Sequence, residues 1–147
     1  MADLNSSGQK IARGVARHLA RLNFTSLEEF VPHRGLRVDL IAIGPKSEIW
    51  IIECKSGRAD FMADKKWQGY LDYCDDFFWA VDIQFPTNIL PNDGGLIVAD
   101  AFDAEILRFP EGKTLNAARR KKLIHKFGRD AAMRLRSLRD PDFPYGY

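Results

Sequence analysis

Short β-branched runs that alternate with amphipathic helical segments predict a mixed α/β domain, with a central sheet covered by helices on both faces. Three observations carry that reading. Residues 8–22 repeat apolar side chains at helical spacing, with Ile11, Val15, Leu19 and Leu22 on one stripe and Lys10, Arg13, Arg17 and Arg21 opposite. Two short runs rich in isoleucine, residues 38–43 and 48–55, flank a Gly44-Pro45-Lys46-Ser47 turn and read as a β-hairpin. The run Phe77-Phe78-Trp79-Ala80-Val81 is too short and too apolar for a surface helix and reads as a buried strand. A strand that follows a crossover helix joins the same sheet in a right-handed parallel connection, so this run extends the sheet begun by the hairpin.

Each element has its own signal. Ser6 or Ser7 is placed to cap the first helix. Residues 24–31 form a first strand that ends at Pro32-His33-Arg34-Gly35. After the hairpin, Ser56-Gly57-Arg58-Ala59 reads as a loop, and Asp60 as the N-cap of a helix running to about Cys74. Ala63, Trp67, Tyr70, Leu71 and Cys74 form its expected buried stripe. Pro86, Pro91 and the Asn92-Asp93-Gly94-Gly95 cluster make a loop. Residues 96–99 and 105–109 form a second hairpin. Thr114 is expected to cap a long basic helix with Leu115, Ala118, Ile124, Phe127, Ala131, Leu135 and Leu138 on its apolar stripe, and Gly128 as a point where it breaks. Residues 141–147 read as irregular. The 147 residues show no repeat or linker and are expected to form one domain, 1–147.

Composition narrows the class. Hydrophobic residues make up 46% and charged residues 29%, which are globular values. No apolar run reaches the length of a membrane span, so a soluble cytoplasmic protein with no membrane partner is expected. Cys54 and Cys74 form no C-x-x-C pair and read as buried thiols. Net charge is only +2, but Lys113, Arg119, Arg120, Lys121, Lys122, Lys126, Arg129, Arg134, Arg136 and Arg139 face a single acid, Asp130, within residues 113–139. That asymmetry suits either a phosphate backbone or a solvated helix face. No phosphate-cradling glycine loop and no nucleophile elbow occur, which disfavours small-molecule enzyme classes.

The first hairpin carries the chemistry. A loop centred on Lys46 pairs Ile43 with Ile49, Ile41 with Ile51, and Asp39 with Glu53. Directly opposed Cβ atoms lie about 4.5–5.5 Å apart. Two carboxylates that close, at the end of an apolar sheet face, repel each other and lose solvation, a conflict that a divalent cation resolves. Lys55 stands one strand step beyond Glu53, on the same face. An isolated Glu-x-Lys on a strand is usually a solvated ion pair. Here the acids sit among Ile41, Ile43, Ile49 and Ile51, where an ordinary surface face would carry polar residues.

A helix, three strands, a helix and a strand, with Asp39 and then Glu53-Cys54-Lys55 on neighbouring strands, resembles the PD-(D/E)XK nuclease superfamily over residues 8–82. Val38 stands where the motif's name has proline. Gln68 and Tyr73 resemble the superfamily's glutamine-rich helical motif. The run from Glu53 to Phe61, with Asp64-Lys65-Lys66-Trp67 and Tyr70-Leu71-Asp72-Tyr73-Cys74-Asp75, is similar to the MmcB-related DNA-repair proteins. The resemblance implies a restriction-endonuclease-like αβββαβ core with an added C-terminal hairpin and basic helix. It also implies a metal-dependent DNA nuclease acting in repair. Asp39, Glu53 and the Cys54 carbonyl would hold Mg²⁺ or Mn²⁺, with Lys55 and Gln68 as catalytic partners. Arg13, Arg17, Arg58, Lys65, Arg119, Arg120, Lys121 and Lys122 would contact DNA, and a second copy or other repair proteins are the implied partners. One position departs from the pattern: many branches carry a glutamate in the first helix, where this chain has Arg13 and no acid between Gly8 and Leu22. That departure keeps open a DNA-binding or partner-docking module that retains the fold without the catalysis.

Overall fold

The computed structural model describes residues 6–144. In order along the chain it has α1 (Ser7–Arg21), β1 (Thr25–His33), β2 (Leu36–Ile43), β3 (Ile49–Lys55), α2 (Arg58–Ala63), a 3-10 helix (Trp67–Tyr73) and β4 (Asp76–Val81). After a short 3-10 turn (Thr87–Ile89) come β5 (Gly95–Ala99), β6 (Ala104–Arg108) and α3 (Ala117–Arg139). All six strands form one sheet in the order β1-β2-β3-β4-β5-β6. The β3–β4 and β4–β5 pairs are parallel and the others antiparallel, so the sheet is mixed as expected. Ile43 pairs with Ile49 and Ile41 with Ile51, the register read from the hairpin.

Every residue of β3 is buried, as a strand covered on both faces must be. On one face α1 packs Ile11, Val15 and Leu19 against Leu40, Ile52, Phe78 and Ile97. On the other, Tyr70 of the 3-10 helix and Leu115 and Leu123 near the start of α3 pack against Ile41, Ile51, Phe77 and Trp79. Ser6 caps α1 through a reciprocal box: its hydroxyl accepts the Gln9 amide and the Gln9 side chain accepts the Ser6 amide. Among the described residues no helix is long and apolar enough to cross a membrane.

Several elements differ from expectation. The single helix over residues 60–74 is two pieces, because Asp64 turns the chain: its Oδ1 accepts the amides of Lys66 at 2.8 Å and Trp67 at 3.1 Å. Tyr70 and Cys74 are buried as foreseen, but Ala63 is exposed. Asp60 lies inside the first turn of α2, whose N-cap is Gly57. Asn116 caps α3 instead of Thr114, its side-chain oxygen accepting the amides of Ala118 and Arg119. Leu123, outside the expected stripe, is the buried residue of that helix, whereas Ala118, Leu135 and Leu138 are exposed. Gly128 does not break it. Residues 145–147 of the expected irregular tail lie outside the described residues.

Asp75 ties α3 to the middle of the sheet. Its Oδ2 accepts the Ile49 amide and its Oδ1 the Leu115 amide, both at 2.8 Å, while Arg120 donates to each oxygen at 2.6 Å. Burial raises the pKa of Asp75, but the Arg120 hydrogen bonds and the two amides outweigh it and hold the carboxyl below its ordinary range.

Two helical glycines make opposite demands. A Cβ on Gly14 would collide with the backbone carbonyls of Asp100 and Asp103, because α1 lies directly on the β5–β6 turn; a Cβ on Gly128 would meet nothing within 4 Å. Helix propensity favours alanine at both by about 1 kcal/mol. Gly14→Ala should nonetheless lower stability by about 1–3 kcal/mol through overpacking, and Gly128→Ala should raise it by up to about 1 kcal/mol. Urea unfolding of the two variants checks this; a stabilised Gly14→Ala would contradict the packing.

Candidate active site

The β2–β3 ladder ends at Leu40–Ile52, one step short of the expected Asp39–Glu53 pair. The two carboxylates still meet, through a cross-grip in place of ladder hydrogen bonds. The Asp39 amide donates to Glu53 Oε1 at 2.9 Å, and the Cys54 amide donates to Asp39 Oδ2 at 2.8 Å. Asp39 Oδ1 and Glu53 Oε2 have no protein donor among the described residues.

A kink frees these residues from the ladder. Leu27 and Phe30 of β1 pack in the same cluster, as do Val38 and Ile41 of β2. Residues three apart in an unbroken strand face opposite sides, so both strands switch face between those positions. The β1 backbone records the switch at Glu29, with φ at 50°. Glu28 and Glu29 therefore both line the cleft with Asp39 and Glu53. Ser6 and Gln9 from the start of α1 close its other side.

Lys55 is 6% exposed and Glu53 4%, both buried at the C-terminal end of β3. Lys55 Nζ lies 2.8 Å from Asp64 and 3.9 Å from Asp60. Asp64 anchors the buried lysine, and the turn it makes with the Lys66 and Trp67 amides is what aims it there. Burial pulls the Lys55 pKa down, but hydrogen bonding and attraction to Asp64 outweigh it and keep the amine charged. Burial likewise raises Asp64, and the Lys55 bond and the Lys66 amide more than reverse that.

The carboxylate pair behaves in the opposite way. Burial raises Asp39 by more than the Cys54 amide and the Lys55 charge lower it. Glu53 is pushed up to about 8, first by burial and then by the Asp39 charge. The pair thus sits in mutual conflict with its lysine turned toward Asp64. Cys54, on the far face of the strand from Glu53, is a buried thiol raised well above its ordinary value, chiefly by burial.

The other expected residues are spread out. Gln68 is exposed on the 3-10 helix and is not among the residues lining the cleft. Arg58 and Lys65 are exposed at the start of α2 and beside Asp64. Arg17 is exposed, and Arg13 stacks its guanidinium over Phe102 at 5.6 Å; neither lines the cleft. Arg120 is half-buried in the Asp75 knot and also donates to the Ser47 carbonyl, so its role is to hold α3 and not to meet solvent. Arg119, Lys121 and Lys122 are exposed on a separate groove. Among the described residues, no three His, Cys, Asp or Glu side chains form a complete ligand set. The donors that do converge are two carboxylates, and oxygen donors with displaced protonation fit a hard divalent cation whose shell is completed by backbone carbonyl and water.

Because folded Glu53 keeps a proton that the unfolded chain has already lost, its contribution to stability is full below its ordinary value of 4.5 and is lost as pH rises through about 8. In chelator, the wild type should lose more stability between acidic and mildly alkaline pH than Glu53→Gln, and added Mg²⁺ should close the gap at high pH. Thermal unfolding across pH reads this; parallel profiles for the two proteins would contradict it.

A family model described as "DNA repair protein MmcB-like" matches residues 2–142. The solved structure of SPO1766, a protein of unknown function from Silicibacter pomeroyi, is 60% identical with a TM-score of 0.92, over 96% of this chain and 96% of that one. No curated protein matches the chain. With the match spanning nearly its whole length, the chain belongs to the MmcB-like family of DNA-repair proteins.

Proposed function

We propose that this protein is a metal-dependent DNA nuclease of the PD-(D/E)XK type, acting in DNA repair. The observation that supports it most is the Asp39–Glu53–Lys55 set: a half-buried and a buried carboxylate driven toward protonation and a buried, charged lysine beside them, all lining one cleft. Asp39, Glu53 and the Cys54 carbonyl would hold Mg²⁺ or Mn²⁺. Bound there, the ion supplies Lewis-acid activation of water and neutralises charge developing on a scissile phosphate.

The chain's own residues do the rest. Lys55 places a fixed positive charge at the sheet end, where a phosphate oxygen gains charge in the transition state. Asp64 acts through Lys55: it holds the ammonium in a single position, 2.8 Å away, and keeps it protonated. The cross-grip of Asp39 and Glu53 on each other's strand fixes both carboxylates before any ion arrives. Arg58 and Lys65, exposed at the start of α2 and beside Asp64, would supply attraction to the DNA backbone without reading sequence.

A second reading, a DNA-binding or partner-docking module without cleavage, is favoured by one observation. The first helix carries no acid, with Arg13 where many branches of the superfamily have a glutamate, and the polar side chain it brings to the cleft is Gln9.

Cleavage of labelled duplex, single-stranded, flap and junction DNA with Mg²⁺ or Mn²⁺ separates the two readings. Asp39→Asn, Glu53→Gln and Lys55→Ala should each lower the rate by at least about 10²-fold. Asp64→Asn should lower it by about tenfold and cost about 1–3 kcal/mol of stability, since the buried Lys55 loses its nearest partner. Wild-type protein that binds DNA but cuts none of these substrates would favour the second reading.

A further inference from the structure

We propose that the groove between α3, the tip of the β1–β2 hairpin and the end of the 3-10 helix binds single-stranded DNA. A base would stack on the exposed end of a His33–Tyr73–Arg119 column, with Lys121 and Lys122 on the flanking phosphates. The inference takes its ligand from the DNA reading above and is independent of whether the cleft is catalytic.

The groove has a volume of about 870 Å³ and is lined by His33, Tyr73, Arg119, Lys121, Lys122 and Lys126 among others, with no carboxylate side chain in its lining. Its planar groups are already aligned. The His33 and Tyr73 rings stack with centroids 5.8 Å apart and planes 13° apart. The Arg119 guanidinium lies 4.7 Å from the Tyr73 centroid, held there by donating to the Asp72 carbonyl at 2.9 Å. His33 and Arg119, the two planar groups packed on Tyr73, are both exposed.

The cations divide by what they already do. Arg120 is taken by Asp75. Lys126 lies 3.7 Å from Asp130 and over the Phe30 ring. Lys121 and Lys122, exposed on the groove wall, have no ion pair among the described residues.

Free positive charge beside exposed planar groups, with no acid between them, complements a ligand that carries both phosphates and open π-faces. A duplex hides its base faces in its own stack and offers only phosphates, which would leave the column unused. An unpaired strand offers both: bases stack on aromatic or guanidinium planes, and its backbone follows a basic groove.

The test is fluorescence anisotropy of a labelled oligo-dT and of a duplex of equal length, with wild-type protein in chelator so that no cleavage intervenes. The single strand should bind tighter than the duplex. His33→Ala and Arg119→Ala should each weaken single-strand binding by roughly tenfold. Arg119→Lys, which keeps the charge and removes the plane, should lose nearly as much. Lys121→Ala with Lys122→Ala should lower the slope of log affinity against log salt by about one to two units, whereas His33→Ala should leave that slope unchanged. Duplex binding as tight as single-strand binding, single-strand affinity unchanged in His33→Ala and Arg119→Ala, or no binding of either DNA would each overturn the proposal. Tight groove-dependent binding without cleavage would sink the nuclease reading and leave this one standing. Cleavage with groove variants that bind normally would do the reverse.

Discussion

Two ionisable side chains buried at the end of an otherwise apolar strand set the terms for everything around them. β3 is covered on both faces, so Glu53 and Lys55 have no water to fall back on and must find partners within the protein. Lys55 obtains one because the chain after α2 turns back at Asp64, and that turn cuts one expected helix into an α-helical and a 3-10 piece. Glu53 meets Asp39, whose strand leaves the regular ladder to present a carboxylate and an amide together. The kink in β1 and β2 and the break at Asp64 are thus local irregularities that serve one set of side chains, Asp39, Glu53 and Lys55.

Much of this architecture was legible in the chain. Strand period, the Gly44-Pro45 turn and the isoleucine pairs specify the register at Ile41–Ile51 and Ile43–Ile49, because a one-residue slip would move each isoleucine to the opposite face of the sheet. What stayed hidden depended on tertiary contacts. Trp67, Tyr70 and Cys74 recur at the i, i+3, i+7 spacing of an α-helix, and the break before Trp67 comes from the amides bound by Asp64. An unbroken strand would put the neighbours Glu28 and Glu29 on opposite faces, and nothing local marks the face switch that brings both to the cleft. Within the basic run, Arg120 looks like its neighbours, and only the Asp75 carboxylate across the fold singles it out. Asn116 and Thr114 are both competent caps two residues apart, and the structure uses Asn116, whose side chain accepts the Ala118 and Arg119 amides.

The two concave surfaces carry opposite electrostatic character. The cleft collects Glu28, Glu29, Asp39, Glu53 and Asp60 around a single lysine, whereas the groove on α3 carries cations alone. A polyanion approaching the molecule is drawn to the groove and repelled from the cleft until that negative charge is offset. Under the proposed function, this division would place recognition and chemistry on different elements, α3 and the hairpin tip on one side and the end of β3 on the other.

Arg134 adds a consequence that lies outside chemistry. β1 is an edge strand, and its open side would ordinarily offer backbone carbonyls to any extended chain that drifted past. At Glu28 and Glu29 those carbonyls are already taken by the Arg134 guanidinium, reaching down from α3, and the left-handed backbone at Glu29 bends the strand out of line. An intruding strand would find neither a straight template nor free acceptors there. The same bend that sets the acids in place also guards the sheet against aggregation by strand addition.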